Sequence, residues 1–324
     1  DARAEQQRYS NGSSFIQCSL ESSNVPNDVM QILEGSFSQS TTNQYNTTIR
    51  KWRIYCHTEN IDYRVPDVNR ILSFLTSLCN TGHSYSSVNG AKAGLSTMFS
   101  LSHNIRIGEI GIVKQFMKGV YRKCPPTPKY STTWDADTVL NLFSSWDDND
   151  SLSTKQLSLK LVGLLALVTG QRTQTLSCIT VNNIVWGESV QISIDSILKT
   201  SRPNRPNPIL TLKKYFPNPK LCVVSTLTAY LNRTNSYRGD SLLLFLGIQK
   251  PHKPVGAQTI GNWLTYTAHS FRHASTSKVA AKGANVNTII SHVGWSRNST
   301  VFARFYNRPV GKSNDFSEKV LDLP

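Results

Sequence analysis

The stretch from Leu159 to Arg172, Leu-Lys-Leu-Val-Gly-Leu-Leu-Ala-Leu-Val-Thr-Gly-Gln-Arg, decides the fold of its half of the chain. Its apolar run is shorter than the roughly 20 residues that span a bilayer, so it predicts a helix buried in the core of a globular domain. Gly170 can end that helix and place Arg172 at its terminus. A lone arginine after a helix is usually a surface charge, so the meaning of Arg172 depends on the rest of the sequence.

The period of the apolar residues switches to two after this helix. Short strands are predicted at Asn183–Val185, Val190–Ile194 and Ile209–Leu212, whereas the three prolines of Lys199–Pro208 predict a hairpin tip or loop. The helical period predicts the helices of this half at Asp135–Ser145, Ser153–Thr169, Val223–Asn232, Ala257–Trp263, Ser270–Lys282 and Asn287–His292. The predicted fold class is mainly α with a small antiparallel β-sheet.

The first half of the chain is predicted to be helical. Periodic apolar segments predict its helices at Val29–Leu33, Tyr45–Tyr55, Val68–Leu78, Ser84–Leu101 and Ile112–Tyr121. The polar residues 1–27 lack such a period, and the prolines of Lys123–Lys129 stop helices and stiffen linkers. We therefore divide the chain into a flexible N-terminal arm (1–27), a helical domain (28–122), a linker (123–130) and a second domain that begins at residue 131.

The net charge of +15 lies entirely in the second half. Residues 1–150 carry 14 basic and 14 acidic side chains, whereas residues 151–324 carry 21 basic and 6 acidic ones. Between Lys199 and Val310, 16 basic residues stand against one acidic residue, Asp240. Such an unbalanced field predicts a polyanionic partner.

The composition excludes several classes of protein. A hydrophobic content of 39% is enough for a sizeable core, and a length of 324 residues favours two domains. We expect neither a membrane span nor an N-terminal secretory signal. The six cysteines never stand at C-x-x-C spacing, which predicts reduced thiols of an intracellular protein rather than a zinc site or a disulfide framework.

Three further segments hold side chains that can carry chemistry. His269 and Arg272 are three apart and share one helix face. His292 and Trp295 lie at a predicted helix end, and Tyr306 stands between arginines. Each segment has an ordinary interpretation: a chance pair, a capped helix with a packed indole, or a stacking residue. Their order along the chain is more informative than any one of them.

This order resembles that of the tyrosine recombinases: an arginine, a lysine on a hairpin, H-x-x-R, G-W and a tyrosine near the end. The segments A-H-S-F-R-H-A-S-T-S, H-V-G-W-S and F-Y-N-R-P are similar to those of eukaryotic mobile-element recombinases, the DIRS-like, Ngaro and Crypton groups. The resemblance covers residues 30–310. It implies a helical, SAM-like core-binding domain that binds DNA at 28–122, and a catalytic tyrosine-recombinase domain of the DNA breaking-rejoining fold at 131–310.

The resemblance also implies a role for each matching residue. Arg172 and Arg272 would hold the scissile phosphate, and Lys199 would act as the general acid. His269 matches the first histidine of the family, and Tyr306 matches its nucleophile. These assignments rest on the matching motifs and on no other observation of the sequence.

One position of the family's set, occupied by His or Trp, has two candidates here. Trp295 is favoured, because Gly294-Trp295-Ser296 resembles the Gly-His-Ser of the family. His292 is the alternative occupant.

Elementary chemistry agrees with this set. A phosphodiester under attack gathers negative charge that guanidinium forks stabilise. A free tyrosine has a pKa near 10, and neighbouring cations favour its nucleophilic phenolate. A lysine on a hairpin can deliver a proton to the departing 5′ oxygen. Because a phosphotyrosyl bond conserves the energy of the phosphodiester, the resemblance implies no metal, no ATP and no other cofactor.

Further cations are predicted to hold the flanking DNA backbone. In the second domain they are Arg202, Arg205, Lys213, Lys214, Lys278 and Lys282, and in the first domain Arg50, Lys51, Arg53, Lys114, Lys118 and Arg122. A solvated helix face is the ordinary interpretation of the two clusters in the first domain.

We therefore expect a nuclear site-specific recombinase or transposase that mobilises a eukaryotic transposable element, such as a retrotransposon, through a 3′-phosphotyrosyl intermediate. Its partner would be double-stranded DNA. The resemblance implies a tetramer on paired sites, with the tail 311–324 docking on a neighbouring subunit. A type IB topoisomerase and a domesticated sequence-specific DNA-binding protein without turnover are the alternatives.

Overall fold

The computed structural model describes residues 14–20, 23, 25–126, 133–204, 206–264, 268–295 and 303, and for 268–270 it describes the backbone alone. The chain divides into two compact units, Asp1–Lys129 and Tyr130–Pro324. Each unit has its own hydrophobic core. Within the described residues, no helix combines the length and the apolar character needed to cross a bilayer.

The first unit is helical. Its helices are α1 (Phe15–Ser19), α2 (Asn27–Gly35), α3 (Gln39–Thr58), α4 (Val68–Asn80), α5 (Tyr85–His103) and α6 (Gly111–Lys123), with a 3₁₀ turn at Ile107–Glu109. Side-chain oxygens of Ser38, Asp67 and Ser84 accept backbone N–H bonds at the starts of α3, α4 and α5. These caps satisfy donors that have no partner within the helix, and they explain where the three helices begin.

The predicted flexible arm at residues 1–27 is wrong for α1. Phe15 and Ile16 have no exposed surface and belong to the same core as Trp52. Ser14 and Gln17 form a reciprocal cap at the start of α1, and the N–H of Phe15 donates to Asn46 Oδ1 at 2.7 Å. The sequence did not predict this element because a single helical turn contains too few apolar residues to establish a period.

The second unit combines helices with one small sheet. Its helices are α7 (Ala136–Ser145), α8 (Thr154–Thr169), α9 (Thr173–Ser177), α10 (Val223–Asn235), α11 (Ala257–Trp263), α12 (Ala268–Ala281) and α13 (Val286–His292), and its strands are β1 (Ile184–Val185), β2 (Ser189–Ser193) and β3 (Ile209–Lys213). Short 3₁₀ turns lie at Val181–Asn183 and Pro219–Leu221. The predicted fold class, mainly α with a small antiparallel sheet, is confirmed.

The sheet has the order β1-β2-β3, and both pairings are antiparallel. Val190 pairs with Leu212 and Ile192 with Leu210, and all four side chains are buried. This alternation turns one face of the sheet toward the core. The connection from β2 to β3 contains the proline-rich segment with Lys199.

Helix α8 runs through the centre of the second unit and is buried on almost every side. Its contacts include α10 and α12, so the apolar stretch Leu159–Val168 lies at the centre of the core. The helix ends at Gly170, which adopts a left-handed conformation with φ 59°. The predicted helix end is therefore confirmed, and it determines where Arg172 lies.

Candidate active site

Two helix ends meet beside an open cleft of about 1190 Å³ in the second unit. One wall comes from Gln171 and Arg172, which follow α8. Another comes from α13 and the residues Val293–Trp295 that follow it, and the loop between β2 and β3 adds Thr200 and residues 206–208. The cleft therefore brings together three segments that are far apart in the sequence.

Arg172 is half-buried and lies at the entry to α9, directly after the turn made by Gly170. Helix α9 was not predicted from the sequence, because this helix is a single short turn. The structure places Arg172 between the end of the central helix and the start of α9, so its backbone is held from both sides.

Arg272, on α12, is 1% exposed. Its Nη2 donates to the carbonyl oxygen of Val293 at 2.7 Å, and its guanidinium carbon lies 4.7 Å from the centre of the Trp295 ring. Trp295 itself is 8% exposed and lines the cleft. A guanidinium over an indole face is electrostatically favourable, so the two predicted site residues hold each other in place.

Lys199 is exposed, and its backbone N–H donates to Gln174 Oε1 of α9 at 3.3 Å. Its neighbour Thr200 lines the cleft. The loop is braced from within, because Asn207 Nδ2 donates to the carbonyl of Ile194 at 2.8 Å and Ser201 Oγ donates to Asn207 Oδ1 at 2.7 Å. The proposed general acid is therefore an exposed ammonium on a loop tied to the helix that follows Arg172.

His292 and Trp295, the two candidates for one role, have different surroundings. The exposed ring of His292 lines the cleft, and its Nε2 lies 3.1 Å from the carbonyl oxygen of Val168. Because a carbonyl only accepts hydrogen bonds, this nitrogen carries the proton. His292 is thus bound to the backbone at the end of α8, whereas Trp295 is stacked on Arg272.

Three predicted residues are outside this description. The side chain of His269 and the whole of Arg205 and Tyr306 lie outside the described residues. The structure therefore brings together Arg172, Arg272, Trp295, His292 and the loop of Lys199, and the roles of all the site residues stay predictions.

Several of the cations predicted to bind DNA have partners within the protein. Lys278 forms an ion pair with Asp137 of α7, and Arg202 Nη1 donates to the carbonyl oxygen of Ser201 at 2.7 Å. In the first unit, Lys51 Nζ lies 2.9 Å from His83 Nε2, and the Arg53 guanidinium lies over a tyrosine ring. These contacts compete with a phosphate contact at the same groups.

The other described members of the predicted set are exposed: Arg50, Lys114, Lys118, Arg122, Lys213, Lys214 and Lys282. On α6, the spacing of four places Lys114, Lys118 and Arg122 along one helix face. These three cations therefore form one exposed basic stripe on α6.

Two residues of the site were not predicted from the sequence. Gln171 is 6% exposed, and its Nε2 donates to the carbonyl oxygen of His292 at 3.3 Å. Ser275 Oγ donates to the carbonyl oxygen of Leu167 at 2.6 Å. The only sequence signal was the position of Gln171 beside Arg172, since the bonds themselves join residues more than one hundred positions apart.

No protein-family model matches the sequence, and no curated protein matches it. Solved structures do match. The Tn1549 transposon integrase in complex with circular intermediate DNA has a TM-score of 0.55 and 16% identity over 96% of this chain and 100% of that chain. The XerH site-specific recombinase bound to difH substrate has a TM-score of 0.55 and 15% identity over 87% of this chain and 79% of that chain.

A lambda integrase tetramer bound to a Holliday junction has a TM-score of 0.52 and 13% identity over 94% of this chain and 81% of that chain. The chain has the fold of the tyrosine recombinases. At these identities the likeness establishes the fold alone, and the activity has to be argued from the site.

Proposed function

We propose that the protein is a tyrosine recombinase that cleaves and rejoins double-stranded DNA through a 3′-phosphotyrosyl intermediate. The observation that carries the proposal is the convergence of Arg172 and Trp295 on one cleft, with Arg272 stacked on Trp295, in a chain of this fold. The three similar structures all hold DNA, which supports DNA as the substrate.

In the proposed reaction, Tyr306 Oη attacks the scissile phosphorus and the bond from phosphorus to the 5′ oxygen breaks. Arg172 and Arg272 stabilise the charge on the phosphoryl oxygens, and Trp295 donates its indole N–H to one of them. Lys199 gives its proton to the departing 5′ oxygen. Attack by a 5′ hydroxyl on the phosphotyrosine then reverses these steps and rejoins a strand.

His269 is the remaining member of the proposed catalytic set. Placed near the phosphate, it would take the tyrosine proton or donate a hydrogen bond to a phosphoryl oxygen, as histidines do in acid–base catalysis. The reaction needs no ATP, because the phosphotyrosyl bond keeps the energy of the broken phosphodiester.

The biological setting belongs to the same proposal. The residues Ala268–Ser277, His292–Ser296 and Phe305–Pro309 resemble eukaryotic mobile-element recombinases, so we propose a transposase that acts in the nucleus. Joining two duplexes requires four cleavages, and the lambda integrase tetramer on a Holliday junction supports a tetramer here. The tail 311–324 would then dock on a neighbouring subunit.

A covalent-adduct assay tests the proposal. Labelled duplexes made from the genomic sequence on either side of the coding region are incubated with the protein and then denatured. We expect a protein–DNA adduct that Tyr306→Phe abolishes, whereas the control Tyr215→Phe, at an exposed tyrosine of the same unit, retains it. An adduct that persists in Tyr306→Phe would show that the nucleophile is wrongly assigned.

A plasmid-relaxation assay, together with the adduct assay, separates the alternatives. Relaxation of a supercoiled plasmid by the monomer, without pairing of sites, would indicate a type IB topoisomerase. Tight binding to these duplexes with no adduct at any of them would indicate a DNA-binding protein without turnover.

A further inference from the structure

The last carbonyl groups of α8 accept hydrogen bonds from two other segments. Such carbonyls have no partner within their own helix and must be satisfied elsewhere. The carbonyl of Leu167 accepts from Ser275 Oγ on α12 at 2.6 Å, and that of Val168 accepts from His292 Nε2 at 3.1 Å. Each donor lies on a helix that is next to a proposed phosphate ligand: α12 carries Arg272, and α13 precedes Trp295.

The carbonyl groups at the end of α13 are satisfied in the same way. The carbonyl of His292 accepts from Gln171 Nε2 at 3.3 Å, and that of Val293 accepts from Arg272 Nη2 at 2.7 Å. Gln171 is itself fixed, since its N–H donates to Thr169 Oγ1 at 3.3 Å. The two helix ends therefore exchange side-chain bonds in both directions.

The end of α8 and the end of α13 also pack closely against each other. A Cβ atom at Gly170 would lie 2.8 Å from Val293 Cγ1, closer than carbon atoms approach. The left-handed backbone of Gly170, with φ 59°, also favours glycine. The turn before Arg172 therefore contacts directly the turn before Trp295.

We propose that Gln171, Ser275 and His292 are positioning residues that fix Arg172 and Trp295 at one spacing across the cleft. The inference rests on the proposed function and deepens it. In this role His292 holds the end of α8 through its Nε2–H, and Trp295 rather than His292 contacts the phosphate. None of the three residues needs to touch DNA for this role.

The proposal predicts which step is slowed when the hydrogen bonds between the two helix ends are lost. DNA binding uses many backbone contacts spread over the protein, and these do not depend on the spacing of one pair of residues. The cleavage step does depend on it, since a displacement of about 1 Å costs roughly 10²-fold in rate. Loss of a positioning bond should therefore lower the rate of adduct formation at saturating DNA and leave the dissociation constant unchanged.

The decisive variants are His292→Gln and His292→Leu. Glutamine keeps an N–H donor for the carbonyl of Val168, whereas leucine of similar size has none. In single-turnover cleavage of the duplex identified by the adduct assay, we expect His292→Leu to be about 10- to 100-fold slower at saturating DNA. His292→Gln should recover most of this loss, with a pH–rate profile that superimposes on that of the wild type.

A second pair of variants keeps the test decisive if His292→Leu fails to fold. Gln171→Met and Ser275→Ala each remove one bond between the helix ends and should also lower the rate without changing the dissociation constant. The matched control is Ser177→Ala, because Ser177 Oγ donates to Gln174 within its own helix at 2.9 Å. This control should cleave at the wild-type rate.

Each outcome decides the inference. If His292→Gln is as slow as His292→Leu, the imidazole itself takes part in the reaction and the positioning role is wrong. If Gln171→Met, Ser275→Ala and His292→Leu all cleave at the wild-type rate, the hydrogen bonds between the helix ends do not position the site. A wild-type protein that forms no adduct with any duplex would overturn the proposed function, and the positioning role with it.

Discussion

The guanidinium carbon of Arg272 lies 4.7 Å from the centre of the Trp295 ring, and both side chains are almost fully buried. A cation removed from water is costly unless polar or π groups compensate. Here an indole face and a backbone carbonyl surround it. Trp295 therefore holds Arg272, and in the proposed reaction it also donates its N–H to the phosphate.

Substitution of Trp295 separates these two tasks. Trp295→Phe keeps an aromatic face over Arg272 but removes the N–H, and loss of one such donor typically costs about 10²-fold in rate. We therefore expect slow adduct formation in Trp295→Phe and still slower formation in Trp295→Ala. The control Trp186→Phe changes an exposed indole and should have no effect. A wild-type rate in Trp295→Phe would exclude the N–H as a phosphate donor.

Gly170 tests the contact between the two helix ends. In Gly170→Ala the new methyl group meets Val293 Cγ1 in a buried region, and such overpacking costs about 1–3 kcal/mol in addition to the backbone strain. The matched control is Gly239→Ala, since Gly239 has a similar φ of 53° but no atom within 4 Å of the position that a Cβ would take. Urea unfolding should show that Gly170→Ala loses clearly more free energy of unfolding than Gly239→Ala. Equal losses would show that Val293 yields without cost.

Lys160 gives a prediction for the pH dependence of stability. It lies on α8 with no exposed surface, and its Nζ donates to Asn149 Oδ1 at 2.9 Å. Burial lowers the pKa of Lys160 from its usual 10.5, Lys220 lowers it further, and Asp148 opposes the shift. The folded state thus releases this proton at a lower pH than the unfolded state does.

Stability linked to Lys160 therefore rises with pH. The cost of burying the charged ammonium is fully present below the lowered pKa of the folded state. It disappears above 10.5, the pKa of Lys160 in the unfolded state. Compared with Lys160→Met, the wild type should gain free energy of unfolding as the pH increases through that window, by at most about 1.4 kcal/mol per pH unit. Unfolding experiments on the wild type and on Lys160→Met, from about pH 7 up to 10.5, measure this gain in free energy. A difference that stays constant with pH would mean that folding leaves the pKa of Lys160 unchanged, and one that falls would mean that folding raises it.

The stripe Lys114, Lys118 and Arg122 gives a prediction for DNA binding. If all three cations contact phosphates, their replacement by alanine should reduce the slope of log K against log salt by about 0.9 for each contact. Lys278→Ala is the control, because Asp137 already pairs with that ammonium. Fluorescence anisotropy over a salt series measures both slopes. An unchanged slope in the triple variant would show that the stripe is a solvated helix face.

The elements that could be predicted from sequence are those with a long apolar period. Helix α8 was predicted from its long apolar run, and the strands were predicted from apolar residues that recur with a period of 2. Helices α1 and α9 were not, since a single turn carries no period. Phe15 in α1 is buried by residues from other helices, a fact that no local pattern contains.

The candidate site was also only partly predictable from the sequence. The motifs identified Arg172, Arg272 and Trp295, but not how they are held. The bonds of Gln171 and Ser275 to backbone carbonyls depend on how distant helix ends meet, and almost any polar side chain could have stood there in the sequence. The partner of Lys278 was hidden for the same reason, since Asp137 is 141 residues away.

The identity of the residue that becomes bonded to DNA decides whether the proposed reaction is right. The denatured adduct is digested with protease and nuclease, and the peptide that carries the remaining nucleotide is sequenced by mass spectrometry. The account predicts a 3′-phosphonucleotide on Tyr306 and on no other residue. A nucleotide on a different side chain, or binding to cognate duplexes without any modified peptide, would contradict it.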